Sequence, residues 1–283
     1  LTLKVEGLLG GHSGQDIDKE RQNADLLMAR MIQRLLKETK GQLVSFNGGT
    51  KDNAIPRECE ASLIYESDEE AAKAEELACE LAETYAEELT PAEPDFSCEI
   101  SCETNRTAEA IPQDAAKEFI CAMRLAPNGI QKRNIKMDGF VVVSLNLGVV
   151  RTEEDRIVMI FSPRSSVASL QEDTKERLNT LAETFGFTVS HSSEYPGWSF
   201  KEDSPVREIC KESYKELFGE DLKIEAIHAG LECGLFSDAI KGLDAIAIGP
   251  TIANCHTPDE YLTLDSFERF YEFLKDILSR LAK

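Results

Sequence analysis

The 283-residue chain is poor in basic residues: it carries 31 Lys and Arg against 52 Asp and Glu, which gives a formal net charge of −21 at pH 7. Such a surface repels phosphate backbones and anionic lipid. The longest apolar run, from Phe140 to Val150, is far shorter than the roughly 20 residues that span a bilayer. We therefore expect no nucleic acid partner and no membrane partner, while a small substrate that is neutral or cationic stays open.

The eight cysteines include no Cys-x-x-Cys pair, and a chain of this length does not need disulfides to hold its core. Reduced thiols fit this pattern, which predicts a cytoplasmic protein. The first six residues alternate between apolar and polar like a strand, with neither an initiator Met nor a targeting leader. From this start we expect that the chain is one part of a longer protein.

Residues 1–102 alternate between strand-like and helix-like patterns in the order β-α-β-β-α-β. The strand-like segments are 1–5, 43–46, 58–65 and 96–102. Apolar stripes at helical spacing lie between the first two strands and between the last two. This order is typical of an α+β region in which helices cover one face of an antiparallel sheet.

A similar order follows from Gln113, which indicates a duplicated βαββαβ unit. The predicted helices are 113–123 and 166–185, and the predicted strands are 140–150, 157–161 and 188–190. The pattern changes at Tyr195-Pro196-Gly197-Trp198, where we place a domain boundary. The remainder, 196–283, alternates helices with strands predicted at 223–227 and 245–248. Two strands are too few for an independent sheet, so this remainder is predicted to be an incomplete α/β segment.

Four histidines restrict the search for a catalytic site. His228 and Glu232 follow one predicted strand and His256 follows the next, so their loops are expected at the same sheet edge. Imidazole and carboxylate are zinc ligands, but spacing alone favours a hydrogen-bonded structural pair over metal binding. His12 lies in a glycine-rich turn, which could present the His12 ring to a ligand. Considered alone, however, the turn favours the alternative, in which His12 only completes the hydrogen bonds of the turn.

The motifs together carry a family resemblance. The strings at residues 10–14 (GGHSG), 53–56 (NAIP) and 144–148 (SLNLG) resemble the lid of aminoacyl-histidine dipeptidases, also called Xaa-His dipeptidases. The strings at 195–198 (YPGW), 228–234 (HAGLECG) and 256–258 (HTP) are similar to the carboxyl-terminal segment of the same family. The likeness covers nearly the whole chain, in order.

The resemblance implies a metallopeptidase with two zinc ions per complete active site, whose α/β catalytic domain is interrupted by an inserted α+β lid. In this chain the lid would cover 1–195, and 196–283 would be the carboxyl-terminal segment of the catalytic domain. The implied reaction is hydrolysis of Xaa-His and similar small dipeptides by a metal-activated water. Because relatives often pair through their lids, a homodimer is the implied assembly.

The resemblance also implies roles for single residues. His256 would be the terminal ligand of one zinc ion, and His12 would be the catalytic histidine that donates to the developing oxyanion. Asn53 and Arg164 would orient the substrate, with Arg164 binding the dipeptide carboxylate. Glu232 resembles a substrate-loop residue whose charge suits the substrate ammonium, although a structural role fits it equally well. A surface ion pair is the alternative for Arg164.

The chain departs from the family in its metal ligands. The family also needs a His-x-Asp pair, a bridging Asp, a Glu-Glu pair and one more acidic ligand, and no such set occurs in these 283 residues. We therefore expect the parent protein to be a dipeptidase and the 283-residue chain to be inactive by itself. Two alternatives stay open: a non-catalytic lid or assembly module, and a related amino-acid amidohydrolase of the deacylase type.

Overall fold

The computed structural model describes residues 1–135, 139–192, 196–198, 200–225, 231–253 and 260–282. Within these ranges the chain forms two compact units, one from residues 1–192 and one from residues 196–282. The boundary predicted at residue 195 lies outside the described residues and stays a prediction. No helix in the described ranges is both long and apolar enough to cross a membrane.

The first unit combines nine strands with four helices in its described residues. The strands are β1 (Thr2–Glu6), β2 (Gly11–His12), β3 (Gln42–Gly48), β4 (Ala54–Ile55), β5 (Cys59–Ile64), β6 (Ser97–Ser101), β7 (Gly129–Asn134), β8 (Phe140–Thr152) and β9 (Ile157–Ser165). The helices are α1 (Ala24–Glu38), α2 (Asp68–Leu89), α3 (Gln113–Leu125) and α4 (Ala168–Phe185). A short 3-10 helix covers Ile17–Lys19. All six elements predicted for residues 1–102 are present.

Seven of these strands form one antiparallel sheet in the order β6-β1-β5-β3-β8-β7, with β9 also paired to β8. Strand β8 has 13 residues and pairs with other strands of the sheet along both of its edges. One edge of β8 pairs with β9, while its other edge pairs with β7 along residues 140–145 and with β3 at Val150. The strands β2 and β4 form a separate two-residue ribbon.

Helices cover one face of this sheet, as the alternation of residues predicted. Leu3 of β1 and Ala61 of β5 are buried in the same apolar cluster as the inward stripes of α1, α2 and α3. Phe46 of β3 adds an edge-to-face ring contact with Phe119 of α3, at 5.4 Å between centroids. On these strands most of the intervening residues are polar, which is typical of an antiparallel sheet with one solvated face.

Helix α1 begins at an asparagine cap above a buried carboxyl group. Asn23 Oδ1 accepts from the Asp25 N–H at 3.0 Å, and Asn23 Nδ2 donates to the Leu147 carbonyl at 2.8 Å. The Asp25 side chain is fully buried and packs where a Cβ on Gly48 would lie. Within the described residues neither of its oxygens has a hydrogen-bond partner. Burial raises the pKa of Asp25 to about 8, although the neighbouring Cys59 thiol offsets part of this effect.

The second half of this unit departs from the predicted duplication. It runs α3-β7-β8-β9-α4, and its strands join the same sheet as those of the first half instead of forming a second one. Strand β7 was missed because its central residues are polar, a composition that an edge strand tolerates. The strand predicted at 188–190 is wrong: these residues carry one apolar side chain, Val189, which is exposed.

The second unit contains helices and one minimal strand pair in its described residues. The helices are α5 (Pro205–Phe218), α6 (Glu232–Ala239) and α7 (Leu264–Leu281), and the strands are β10 (Ile252–Ala253) and β11 (Tyr261–Leu262). Helices α5 and α7 pack around Cys210, Phe273 and Ile277. The predicted strands are wrong for residues 223–225 and 245–248, which pair with no strand among the residues that the structure describes. An apolar segment forms a β-strand only where a neighbouring strand makes hydrogen bonds to its backbone amides and carbonyls.

Candidate active site

A glycine-rich turn near the start of the first unit carries His12. His12 ends β2, which pairs antiparallel with β4 so that His12 lies opposite Ala54. Gly11 has a φ of +137°, and a Cβ at this position would lie 2.8 Å from the Asp16 side chain. Only glycine fits there, and the pairing brings the His12 turn beside Asn53.

Backbone amides fix the tautomer of the His12 ring. Its Nδ1 accepts hydrogen bonds from the N–H groups of Gly14 and Gln15, each at 3.1 Å. A ring nitrogen that accepts carries no proton, so the neutral imidazole holds its proton on Nε2. The local fold therefore makes the Nε2–H of His12 a hydrogen-bond donor before any substrate arrives.

Asp16 stabilises this turn as an ionised carboxylate. Its Oδ2 accepts from the His12 N–H at 2.8 Å, and its own N–H donates to the His12 carbonyl at 2.9 Å. Partial burial would raise the pKa of Asp16, but the hydrogen bonds from Lys19 and from the His12 N–H hold it below its usual value. Asp16 therefore holds the turn through two hydrogen bonds, one to the N–H of His12 and one to its carbonyl.

Ser13 joins three of the predicted site residues. It is fully buried, and it follows His12 in the chain. Its N–H donates to the Asn53 carbonyl at 2.9 Å, and its Oγ accepts from Arg164 Nε at 3.4 Å. The structure therefore brings His12, Asn53 and Arg164 together around one serine that the sequence analysis left without a role. Its signal was its place inside the GGHSG string.

Arg164 extends from β9 into this cluster as a mostly buried cation. Burial lowers the pKa of its guanidinium, and the nearby Asp52 carboxylate offsets part of that shift. An arginine remains protonated in proteins, so the charge stays. A cation that is removed from water is stabilised by an anion that binds beside it, and a guanidinium can bind a carboxylate through two parallel hydrogen bonds. This environment suits the carboxylate-binding role predicted for Arg164.

Two residues of the SLNLG string hold the segment that carries Asn53. Asn146 Nδ2 donates to the Ala54 carbonyl at 2.8 Å and to the Asp52 carbonyl at 3.3 Å, on either side of Asn53. Gly148 packs so closely on this segment that a Cβ would lie 2.5 Å from the Asp52 oxygen. Asn146 is buried, and its place inside the largely apolar run 140–150 was the sequence signal for this anchoring role.

The family assignment rests on a match over most of the chain. The model of peptidase family M20/M25/M40 matches residues 47–280, which include Asn53, Arg164, Glu232 and His256. The chain belongs to this peptidase family. Its members are metallopeptidases, and the resemblance that the motifs carried is thereby confirmed.

Two dipeptidases of the M20/M25/M40 family are similar to almost the whole chain. The cytosol non-specific dipeptidase of Escherichia coli (strain K12) is 33% identical over 285 residues, which cover 99% of this chain and 57% of the relative. The crystal structure of aminoacylhistidine dipeptidase from Vibrio alginolyticus matches with a TM-score of 0.88 and 34% identity, over 99% of this chain and 56% of that protein. The chain thus spans a little over half the length of these relatives.

The remaining predicted site residues, Glu232 and His256, do not belong to the described part of the first unit. Glu232 is the first residue of α6, in the second unit, and its side chain is exposed. His256, like His228, lies outside the described residues. Among the residues that are described, no group of three or more His, Cys, Asp or Glu side chains could hold a metal ion. The described residues therefore do not form the zinc centre typical of M20 peptidases.

Proposed function

We propose that this chain is the substrate-orienting and oxyanion-binding part of a cytosolic dizinc dipeptidase that hydrolyses Xaa-His and related dipeptides. The observation that carries the proposal is the His12 ring: two backbone amides occupy its Nδ1, which leaves the proton on Nε2. The names of the two relatives support the substrate class and the cytosolic location. The family implies a divalent metal, and two zinc ions are part of the proposal.

His12 acts on the scissile carbonyl. When a tetrahedral intermediate forms, negative charge develops on the carbonyl oxygen, and the Nε2–H of His12 donates to it. A donor that is already oriented stabilises this charge without reorganisation, which is why such groups contribute strongly to catalysis. The proton stays on Nε2 throughout, because the two amides at Nδ1 disfavour the other tautomer.

Arg164 and Asn53 position the dipeptide. The Arg164 guanidinium binds the carboxylate of the C-terminal residue, and this fixes the distance from the peptide bond to His12. Asn53, held by Ser13 and by Asn146, orients the same end of the substrate. Glu232 is proposed to bind the substrate ammonium, and His256 to bind one zinc ion.

The test uses the complete enzyme that contains this chain. His12→Ala should lower kcat for Ala-His by about 100- to 1000-fold, the usual effect of removing one oxyanion donor, while KM and the bound metal content change little. His191→Ala is the matched control, because the ring of His191 is exposed and bonds to Asn179, at 3.0 Å, in the described part of the chain. An unchanged kcat in His12→Ala would remove the proposed role.

The 283-residue chain by itself is proposed to be inactive, because His256 is the one zinc ligand that the family pattern assigns to it and one ligand cannot build a dizinc centre. Purified chain incubated with zinc and Ala-His should release no histidine above the buffer rate. Steady hydrolysis that a chelator abolishes would contradict this prediction.

A further inference from the structure

A buried glutamate holds both ends of the segment that carries His12. Glu93 follows α2 and is 2% exposed. Its Oε2 accepts from the Leu9 N–H at 2.7 Å, and its Oε1 accepts from the Gln22 N–H at 2.9 Å. These two amides are the first and the last of residues 9–22, which we name the His12 loop. One carboxylate therefore joins the two ends of this loop.

Glu93 is itself fixed by the backbone around it. Its N–H donates to the carbonyl of Leu89, the last residue of α2, at 2.9 Å, and its carbonyl accepts from the Phe96 N–H at 3.2 Å. Two residues further on, the Asp95 carbonyl oxygen lies where a Cβ on Gly7 would be, just before the His12 loop. The apolar stripe of α2 is buried in the main core. The carboxylate thus extends from a part of the chain whose position is well defined.

A second contact closes the base of the His12 loop from inside. Arg21 donates to the Gly10 carbonyl, and these two residues are the chain neighbours of Gln22 and Leu9. The tip of the loop is held separately, because β2 pairs with β4. His12 therefore lies between two fixed points, which are the β2–β4 ribbon and the base that Glu93 closes.

The hydrogen bonds of Glu93 require a carboxylate. Both oxygens act as acceptors towards backbone N–H groups, and a glutamine of the same shape would place its NH₂ group against one of them. A backbone amide that loses its partner in this way is unfavourable, so the loop would open at that end. Aspartate is one methylene shorter, and we expect it to reach one of the two amides only.

The place of the His12 ring depends on this closure, whereas its tautomer does not. The amides that bond to Nδ1 belong to Gly14 and Gln15, inside the loop, so they keep the proton on Nε2 wherever the loop lies. The β2–β4 ribbon is only two residues long on each strand, and the base of the loop is the other anchor. An oxyanion donor must lie roughly 2.7–3.1 Å from the developing charge. A displacement of about 1 Å can lower a rate on the order of 100-fold.

We propose that Glu93 is a positioning residue for catalysis: by binding the amides at both ends of the His12 loop, it holds the His12 ring at the oxyanion without touching the substrate. The inference rests on the proposed function, because Glu93 acts through His12. Its effect belongs to kcat, since the oxyanion exists only during the reaction. Arg164, which binds the substrate carboxylate, is held by the pairing of β9 with β8, so KM does not depend on Glu93.

The kinetic test uses the complete enzyme. Glu93→Gln should lower kcat for Ala-His about tenfold or more and change KM less than about twofold. Glu88→Gln is the matched control and should leave kcat unchanged, because Glu88 also bonds to a distant residue, Arg30, but is exposed and lies outside the loop. An unchanged kcat in Glu93→Gln would overturn the proposal.

A double-mutant cycle separates positioning from a general structural role. In a His12→Ala background, Glu93→Gln should lower kcat no further, because the group that it positions is already gone. An equal loss in both backgrounds would show that Glu93 supports the fold as a whole, and it would overturn the proposal. An unchanged kcat in His12→Ala alone would instead refute the proposed function, on which the inference rests.

Hydrogen exchange tests the closure without any substitution that disturbs folding. In the unmodified complete enzyme, the amide protons of Leu9 and Gln22 should both exchange at least about 100-fold more slowly than in an unstructured peptide. Glu93→Asp, which keeps the carboxylate, should lower kcat as well and leave only one of the two amides protected. Rapid exchange of both amides in the unmodified enzyme would overturn the proposal even where dipeptides are hydrolysed.

Discussion

Replacement of the buried carboxyl Asp25 by its neutral isostere should remove a pH dependence of stability. In the folded chain, burial raises the pKa of Asp25 to about 8, whereas the unfolded chain exposes it to water with an ordinary value near 4. Between these values the folded state holds one more proton than the unfolded state, so this contribution is fully present below about pH 4 and is lost as the pH rises to about 8. The slope for one proton is about 1.4 kcal/mol per pH unit.

The measurement compares Asp25→Asn with the unmodified chain by urea unfolding, followed by far-ultraviolet circular dichroism at several pH values. From about pH 5.5 to about pH 7.5 the free energy of unfolding of the variant should rise relative to the unmodified chain by about 3 kcal/mol. Asp18→Asn makes the same substitution at an exposed position and serves as the control. A difference that does not vary with pH would show that Asp25 is ionised in the folded state, and the argument from burial would fail.

Further predictions concern the site and the assembly. Gly148→Ala should lower the free energy of unfolding by about 2 kcal/mol in urea titrations, because the new Cβ would lie 2.5 Å from the Asp52 oxygen; unaltered stability would contradict this close packing. In the complete enzyme, Arg164→Lys should raise KM for Ala-His about tenfold with little change in kcat, since Lys cannot form the paired hydrogen bonds; an unchanged KM would exclude the carboxylate contact. His256→Ala should remove a metal ion in elemental analysis together with nearly all turnover, and full metal occupancy would refute its role as a ligand. Light scattering on the chain should give twice its formula mass, whereas a monomer at every concentration would argue against the homodimer.

The helices and inner strands of the first unit were predictable because each carries its own periodic pattern. The apolar stripe of α1 and the alternation in β5 both indicate which side faces the core. Strand β7 was not predictable, since at a sheet edge the side chains need not be apolar and the strand is defined by hydrogen bonds to β8. The prediction at 245–248 failed for the opposite reason. The segment has an apolar pattern, but within the described residues no neighbouring strand pairs with it.

The candidate site could be found from sequence only as a set of separate strings. The strings contain His12 and Asn53, and the family resemblance adds Arg164, but nothing in the sequence shows that Ser13 bonds to both Asn53 and Arg164. Likewise, Asn146 was visible as a polar residue inside an apolar strand, whereas its two carbonyl partners were not. Contacts between residues far apart in the chain depend on the register of the sheet, which single-sequence patterns do not determine.

The hydrogen bond between Ser13 and Arg164 has a consequence for how the protein folds. The two residues are 151 positions apart, and Asn23 and Leu147 are 124 positions apart. Contacts of such separation close large loops, so they form after local helices and hairpins have appeared. During refolding, helical signal should therefore return before the His12 turn and Arg164 come together at Ser13. In the complete enzyme, recovery of the proposed dipeptidase activity would thus be a stricter measure of the correct folding of this unit than recovery of its helix content.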